Sequence, residues 1–378
     1  MIFERVYSAL KVLAPAMAKR RLGGFSMIIT GRCDHCTVRQ MHCGGRLTRF
    51  VALLLFNTPL WRILVMCCVR LRGKARIHTQ GREKNMDAGK LETIATGFGI
   101  LEGPVWHPEF GLLAADVIHG GVWAFGPTKD PEVVVPHRKG IGGMALHANG
   151  GLIISGRNLA IKQLGDAGAP TIVLVNNDPD HGVVGFNDLT VDMHGRIYVG
   201  SLGFVATRDA VKQKPGQLYL VDVDGRTTVV AEDVKLTNGL ALSSDRKYLY
   251  HADSLRHIVI VYDVRDDGSL GVGRRFIDTG SGHPDGMAVD EGGMLWVALA
   301  GEARVAAYDS RGREVASIRV PVPMAASVCF GGDDMRDLYI VTGSEGLNSD
   351  RGGGVYKLRV EVPGIPRPLA RVSASQSQ

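Results

Sequence analysis

Residues 187–201 read NDLTVDMHGRIYVGS. Leu189 and Val191 point one way along an alternating stretch, the polar run through His194 and Gly195 breaks it, and Ile197 and Val199 resume it. A period of two belongs to strands, because successive side chains leave opposite faces of an extended backbone. The phrase therefore predicts two strands joined by a tight turn. It recurs as EGPVWHPEFGLLAAD from Glu102, GGMALHANGGLIISG from Gly142, NGLALSSDRKYLYHAD from Asn238, DGMAVDEGGMLWVAL from Asp285 and ASVCFGGDDMRDLYIVT from Ala326. Successive copies start 40, 45, 51, 47 and 41 residues apart.

Six copies at that period are the signature of a repeat architecture. Segments between them, such as 217–223 and 257–264, alternate in the same way and bring each unit to about four strands. Antiparallel four-stranded units repeated radially make a propeller. The expected fold is all-β, a six-bladed β-propeller over residues 90–360, followed by a C-terminal tail at 361–378. A sandwich or barrel with accidental hairpin similarity is the weaker alternative. No G-x-G-x-x-G, P-loop or heptad is present, which removes the nucleotide folds and coiled coils. Val191, Leu242, Val289 and Phe330 are expected inside the sheets.

Residues 1–85 differ from the rest of the chain. They hold 16 Lys and Arg against 3 Asp and Glu, whereas the remaining 293 residues hold 28 against 35. The net charge of +6 thus conceals an acidic body, and no nucleic-acid partner is expected. Five of the six cysteines also lie in this leader, leaving Cys329 alone in the body, so no disulfide framework is expected there. Cys33, Cys36 and Cys43 with His35 or His42 are ligand types that zinc accepts, but no second CxxC or apolar framework accompanies them. The run FVALLLFNTPLWRILVMCCV at 50–69 has the length of a membrane span, interrupted by Asn57, Pro59 and Arg62. The leader is expected to be poorly ordered and dispensable, with a native start at Met86 as one option. A cytoplasmic location is expected, with membrane association through residues 50–69 as the alternative.

The first residue of each repeat is the informative one: Glu102, Gly142, Asn187, Asn238, Asp285 and Ala326. These stand just before the inner strand, where all blades converge on one mouth of the channel. Glu102, Asn238 and Asp285 supply two carboxylates and an amide oxygen, the hard donors that Ca²⁺ or Mg²⁺ takes. Zn²⁺ and Mn²⁺ also accept oxygen. Each residue alone also suits a turn, as Asn-Gly and Asp-Gly pairs commonly do. Ser155 and Ser201 are read as ordinary strand-end residues, and no G-x-S-x-G motif is present.

EGPVW at 102–106, FNDLTVD at 186–192, TNGLALSSD at 237–245 and PDGMAVDEGGMLWVA at 284–298 resemble the SMP-30/gluconolactonase (regucalcin-like) family over residues 90–360. The resemblance implies a propeller enzyme with one divalent cation, Ca²⁺ foremost, that hydrolyses a small-molecule lactone or related cyclic ester. It implies Glu102, Asn238 and Asp285 as metal ligands, Asn187 as a catalytic residue that contacts and orients the substrate, and Asp285 as ligand and general base together. A paraoxonase-like esterase and a non-catalytic calcium-binding propeller are the alternatives. Sugar-lactonase members often carry Arg two residues before that Asn, where this chain has Gly185. The departure implies a less hydroxylated lactone beside Phe186, Leu202 and Phe204, with Arg157, His181, Arg208 or His251 as replacement donors. It also implies that Gly185→Arg would favour a sugar substrate.

Overall fold

The computed structural model describes residues 91–126, 130–136, 138–166, 168–204 and 214–373 in full, and the backbone alone of a few strands before them. The chain divides into two compact units, Met1–Thr79 and Gln80–Gln378. In the first, strands Arg32–Cys33, Cys36–Thr37, Phe50–Thr58 and Trp61–Val69 form one antiparallel sheet in that order. Phe50 stands opposite Val69 and Thr58 opposite Trp61. No helix among the described residues is long and apolar enough to cross a membrane. The cluster of Cys33, Cys36, Cys43, His35 and His42, the option of a start at Met86, and Arg208 fall outside the residues whose side chains are described.

The second unit is the six-bladed propeller. Blade 1 runs from Leu101 to Val135, blade 2 from Met144 to Val175, blade 3 from Gly185 to Val234 and blade 4 from Thr237 to Asp278. Blade 5 runs from His283 to Arg319, where Lys84–Asn85 adds a short parallel fifth strand. Blade 6 takes three strands from Met324 to Arg359, and its fourth is Glu92–Phe98 from the start of the unit. That pairing closes the ring with strands from both ends of the propeller sequence, so no blade is left to open at a seam. Each repeated phrase is the inner two strands of one blade.

Every blade is covered on both faces by its neighbours. The second strand of blade 1, GLLAAD, is accordingly buried along its whole length. The apolar core is a ring of six clusters, one at each blade–blade interface. Val191, Leu242, Val289 and Phe330 all belong to it, none more than 6% exposed.

Residues 360–373 do not hang free. Ala370 and Val372 are fully buried in the interface between blades 2 and 3.

Candidate metal and substrate site

The inner strands begin with a common irregularity. Pairing with the second strand slips between Glu102 and Val105 in blade 1, Phe186 and Leu189 in blade 3, Thr237 and Leu240 in blade 4, and Pro284 and Met287 in blade 5. A bulge re-aims side chains that strict alternation would send into the sheet. Asn187, Asn238 and Asp285 each lie within one of these slips, and Glu102, paired with Ala115, stands at the edge of the one in blade 1. They are therefore part of the inner strands, and not ahead of them as the repeat pattern suggests. The glycine that follows two of them has a packing role. A Cβ on Gly239 would lie 2.3 Å from the Asp285 carbonyl oxygen, and one on Gly286 would lie 1.8 Å from Ser327 Oγ. Adjacent inner strands meet too closely here for any larger residue.

A chain of hydrogen bonds ties three blades together at this mouth. Asn187 Nδ2 donates to the Thr237 carbonyl at 2.8 Å and to Asn238 Oδ1 at 3.0 Å. Asn238 Nδ2 donates to Ser254 Oγ at 3.1 Å, and the Ser254 hydroxyl donates to the Pro284 carbonyl at 2.6 Å, next to Asp285. Both amide hydrogens of Asn187 are thus engaged. Its Oδ1, lying where a Cβ on Gly142 would meet it at 1.9 Å, remains as an acceptor.

The carboxylates are held in conflict. Burial, and then the negative charges of Asp285 and Asp188, push the Glu102 carboxyl well above its ordinary range. Burial, and then Asp188 and Glu345, do the same to Asp285. Asp285 is 4% exposed, and its Oδ1 is buried without any hydrogen-bond partner. A buried carboxylate oxygen with no donor is costly unless something positive faces it. Two carboxylates and an amide oxygen around such an orphan suit a hard divalent cation. Among the described residues no three His, Cys, Asp or Glu side chains form a metal-holding group.

Asp188 was not singled out in the sequence. It is buried beside Asn187, accepts the Leu189 amide at 3.0 Å, and burial raises its pKa to about 6 against the opposing charge of Arg367. Neighbouring residues in a regular strand face opposite ways, and only the bulge lets both act at the mouth. Ser254 was missed for another reason, since it belongs to a short 3-10 turn outside the repeated phrase.

The residues around Gly185 are rearranged relative to expectation. Phe186 and Phe204 are 2% and 5% exposed, and Phe186 packs in the core between blades 2 and 3, so neither offers an apolar wall to a substrate. A Cβ on Gly185 would lie 2.8 Å from the Gly156 carbonyl oxygen and 3.6 Å from Arg157 Cα. The 156–157 loop, paired with Phe186, already fills that space. An arginine at 185 therefore meets backbone, which corrects the expectation that it would simply add a substrate contact. His251 is fully buried, bonded to Thr237 Oγ1, and kept neutral by burial with a pKa near about 3. His181 is exposed and bonded to Asp178. Of the described candidates for the missing donor, Arg157 is the one whose backbone adjoins Gly185. Ser155 and Ser201 are both buried acceptors of backbone N–H groups.

Comparison with known proteins agrees with this architecture. The chain is 33% identical over 278 residues to a 6-deoxy-6-sulfogluconolactonase of Pseudomonas putida, covering 71% of this chain and 94% of that protein. It is 29% identical to regucalcin of Xenopus laevis, covering 72% and 95%, and 28% identical to a pentonolactonase of Haloferax volcanii, covering 72% and 95%. The solved structure of a regucalcin from Agrobacterium tumefaciens superposes with a TM-score of 0.65 at 23% identity, over 74% of this chain and 97% of that one, and shares its fold. The SMP-30/Gluconolactonase/LRE-like region profile matches residues 100–344, from the first inner strand to the last blade. With its six closed blades and that match, the chain belongs to the SMP-30/gluconolactonase/LRE-like family.

Proposed function

We propose that this protein is a metal-dependent hydrolase that opens a lactone. Glu102, Asn238 and Asp285 hold one divalent cation, with Ca²⁺ the first candidate, and Asn187 contacts the substrate. The observation that carries this is the orphaned, buried Oδ1 of Asp285 beside acids whose pKa values burial and neighbouring negative charge raise. The names of its relatives support the substrate class, since sugar lactones are what several of them act on.

A bound divalent cation would supply Lewis-acid polarisation of the ester carbonyl and would lower the pKa of the attacking water. The protein's own groups do the rest. Asp285 accepts the proton of the attacking water. The new bond forms at the acyl carbon, the ring C–O bond breaks, and the alkoxide takes a proton to leave a hydroxy acid. Asn187 Oδ1, with its amide hydrogens already committed, accepts a hydrogen bond from a substrate hydroxyl. Arg157, whose backbone adjoins Gly185, is the donor we assign to a polar or anionic substituent on the same substrate.

The test is a hydrolysis screen of sugar, aliphatic and aryl lactones with and without Ca²⁺. Activity is expected to require the cation and to fall at least about tenfold in Asp285→Asn, roughly 1.4 kcal/mol of barrier. If the variant still binds Ca²⁺ at saturation yet stays slow, the defect lies in proton acceptance or in polarisation of the transition state. Inertness towards every lactone in saturating metal would leave a calcium-binding propeller.

A further inference from the structure

The far end of the channel, where the inner strands finish, is built on other lines. After Val360 the chain leaves blade 6 as EVPGIPRPLARVS. The Glu291 amide donates to the Pro363 carbonyl at 2.9 Å, Gly364 N donates to the Met335 carbonyl at 2.7 Å, and Ile365 N to that of Val289 at 3.2 Å. These anchors belong to blades 5 and 6. The next lie on blades 2 and 3: Ala370 N to the Leu146 carbonyl at 2.8 Å, and Arg371 N to that of Gly195 at 2.9 Å. Blades 5 and 2 face each other across a six-membered ring, so residues 365–370 form a strap over the channel. Five extended steps reach about 16 Å. Pro366 and Pro368 bring no N–H to leave unpaired over an open space.

Beneath the strap lies a cavity of about 530 Å³, walled by Val105, Leu240, Met287 and Ile365 among others. That is the size of a small-molecule pocket. Arg246 and Arg367 also line it. Among the described residues neither guanidinium makes a hydrogen bond or ion pair, although Arg367 lies close enough to Asp188 and Cys329 to lower their pKa values. The one acid in the lining, Asp333, is exposed at the rim.

The backbone adds a second observation. In blades 2 to 6 the turn after the inner strand closes with one hydrogen bond, from N–H of the fourth residue to C=O of the first. In three blades the fourth residue is glycine in the left-handed region: Gly150, Gly195 and Gly293, at φ 83°, 85° and 81°. In blades 4 and 6 it is Arg246 at 62° and Met335 at 55°. Side chains are disfavoured there, and strain of that kind persists where the side chain has a use. Both of these side chains line the cavity, and the three glycines do not.

We infer that the far-mouth cavity is a second binding site, for a small carboxylate with an apolar body. The carboxylate meets Arg246 and Arg367, and the chain lies against the apolar wall under the strap. None of Glu102, Asn187, Asn238 and Asp285 lines this cavity, and the inference does not rest on the lactonase proposal.

The probe is octanoate, titrated calorimetrically into the full chain, with octanol as the uncharged control. Octanoate is expected to saturate one site with Kd below about 1 mM, and octanol to bind at least tenfold more weakly. Arg246→Gly and Arg367→Gln should each weaken octanoate at least tenfold. Arg246→Gly should leave Tm unchanged or raise it, because glycine suits that turn, so lost binding there cannot be lost folding. Asp285→Asn and EDTA should leave octanoate binding as it was. Failure of wild type to saturate by 10 mM, undiminished binding in both arginine variants, or loss of binding in Asp285→Asn would each overturn the inference.

Discussion

The two mouths of one channel are made by opposite ends of the same inner strands, and they differ in almost every respect. At the near mouth the strands bulge, glycines let neighbouring backbones touch, and Glu102, Asp188 and Asp285 crowd together with raised pKa values. At the far mouth the turns are regular, the walls are apolar, two arginines make no hydrogen bond or ion pair among the described residues, and a proline-rich strap crosses the opening. A closed ring of blades fixes both ends through its interfaces, so each mouth can carry residues that weaken the fold locally. The near mouth holds crowded negative charge, and the far mouth holds left-handed side chains, which cost about 1–2 kcal/mol each in general. Stored strain at two places on one scaffold points to two uses for it.

The sharpest way to break the contrast is to neutralise the near mouth. In EDTA, Glu102→Gln with Asp285→Asn should raise the denaturation midpoint, because it removes two carboxyls whose ionisation burial and neighbouring acids disfavour. Denaturant unfolding at several pH values checks it. The sign comes from linkage: carboxyls whose folded pKa is raised bind more protons in the native state, so stability falls as pH rises from the unfolded values near about 4. Asp188 alone carries that decline to about pH 6, and Glu102 and Asp285 extend it. The gain in the double variant should therefore be larger at pH 8 than at pH 5, and Ca²⁺ should stabilise wild type and not the variant. Lower stability for the variant in EDTA would mean that the carboxylates support the fold.

Removing the strap attacks the other side. A chain ending at Val360 loses the fully buried Val372 and Ala370, and should be destabilised by about 2 kcal/mol. The comparison is with wild type in the same denaturant titration, and an unchanged midpoint would show that the anchors contribute nothing. Gly185→Arg should cost about 1–2 kcal/mol, because its side chain must displace the 156–157 backbone. Unchanged Tm together with faster hydrolysis of a sugar lactone would show that the loop moves aside freely. The smallest effect belongs to the leader: deletion of residues 1–85 should change stability by less than about 0.5 kcal/mol, since only the two-residue strand Lys84–Asn85 is lost from blade 5. Loss of soluble folded protein would instead tie the leader to the propeller.

Fold and site were not equally legible in the sequence. Strand periodicity is set by neighbours two residues apart, and a repeat copies it six times, so the six blades and the buried Val191, Leu242, Val289 and Phe330 could be read directly. Asn187, Asn238 and Asp285 were visible because symmetry puts the same register of every repeat at the same mouth, and Glu102 stands one residue earlier in the register of blade 1. What fails is any property that depends on a side chain's direction after a bulge, or on residues far apart in the chain. Phe186 looked like a substrate wall and is core, His251 looked like a rim donor and is buried, and Asp188 was hidden in an Asn-Asp pair. No local pattern in PGIPRPLA announces that it spans the channel and sets Arg367 beneath the acid cluster. Local alternation determined the blades, because backbone geometry makes it a short-range code. The closed ring decided the rest, because only there do bulged strands from different blades, and a segment beyond them, come to share one narrow axis.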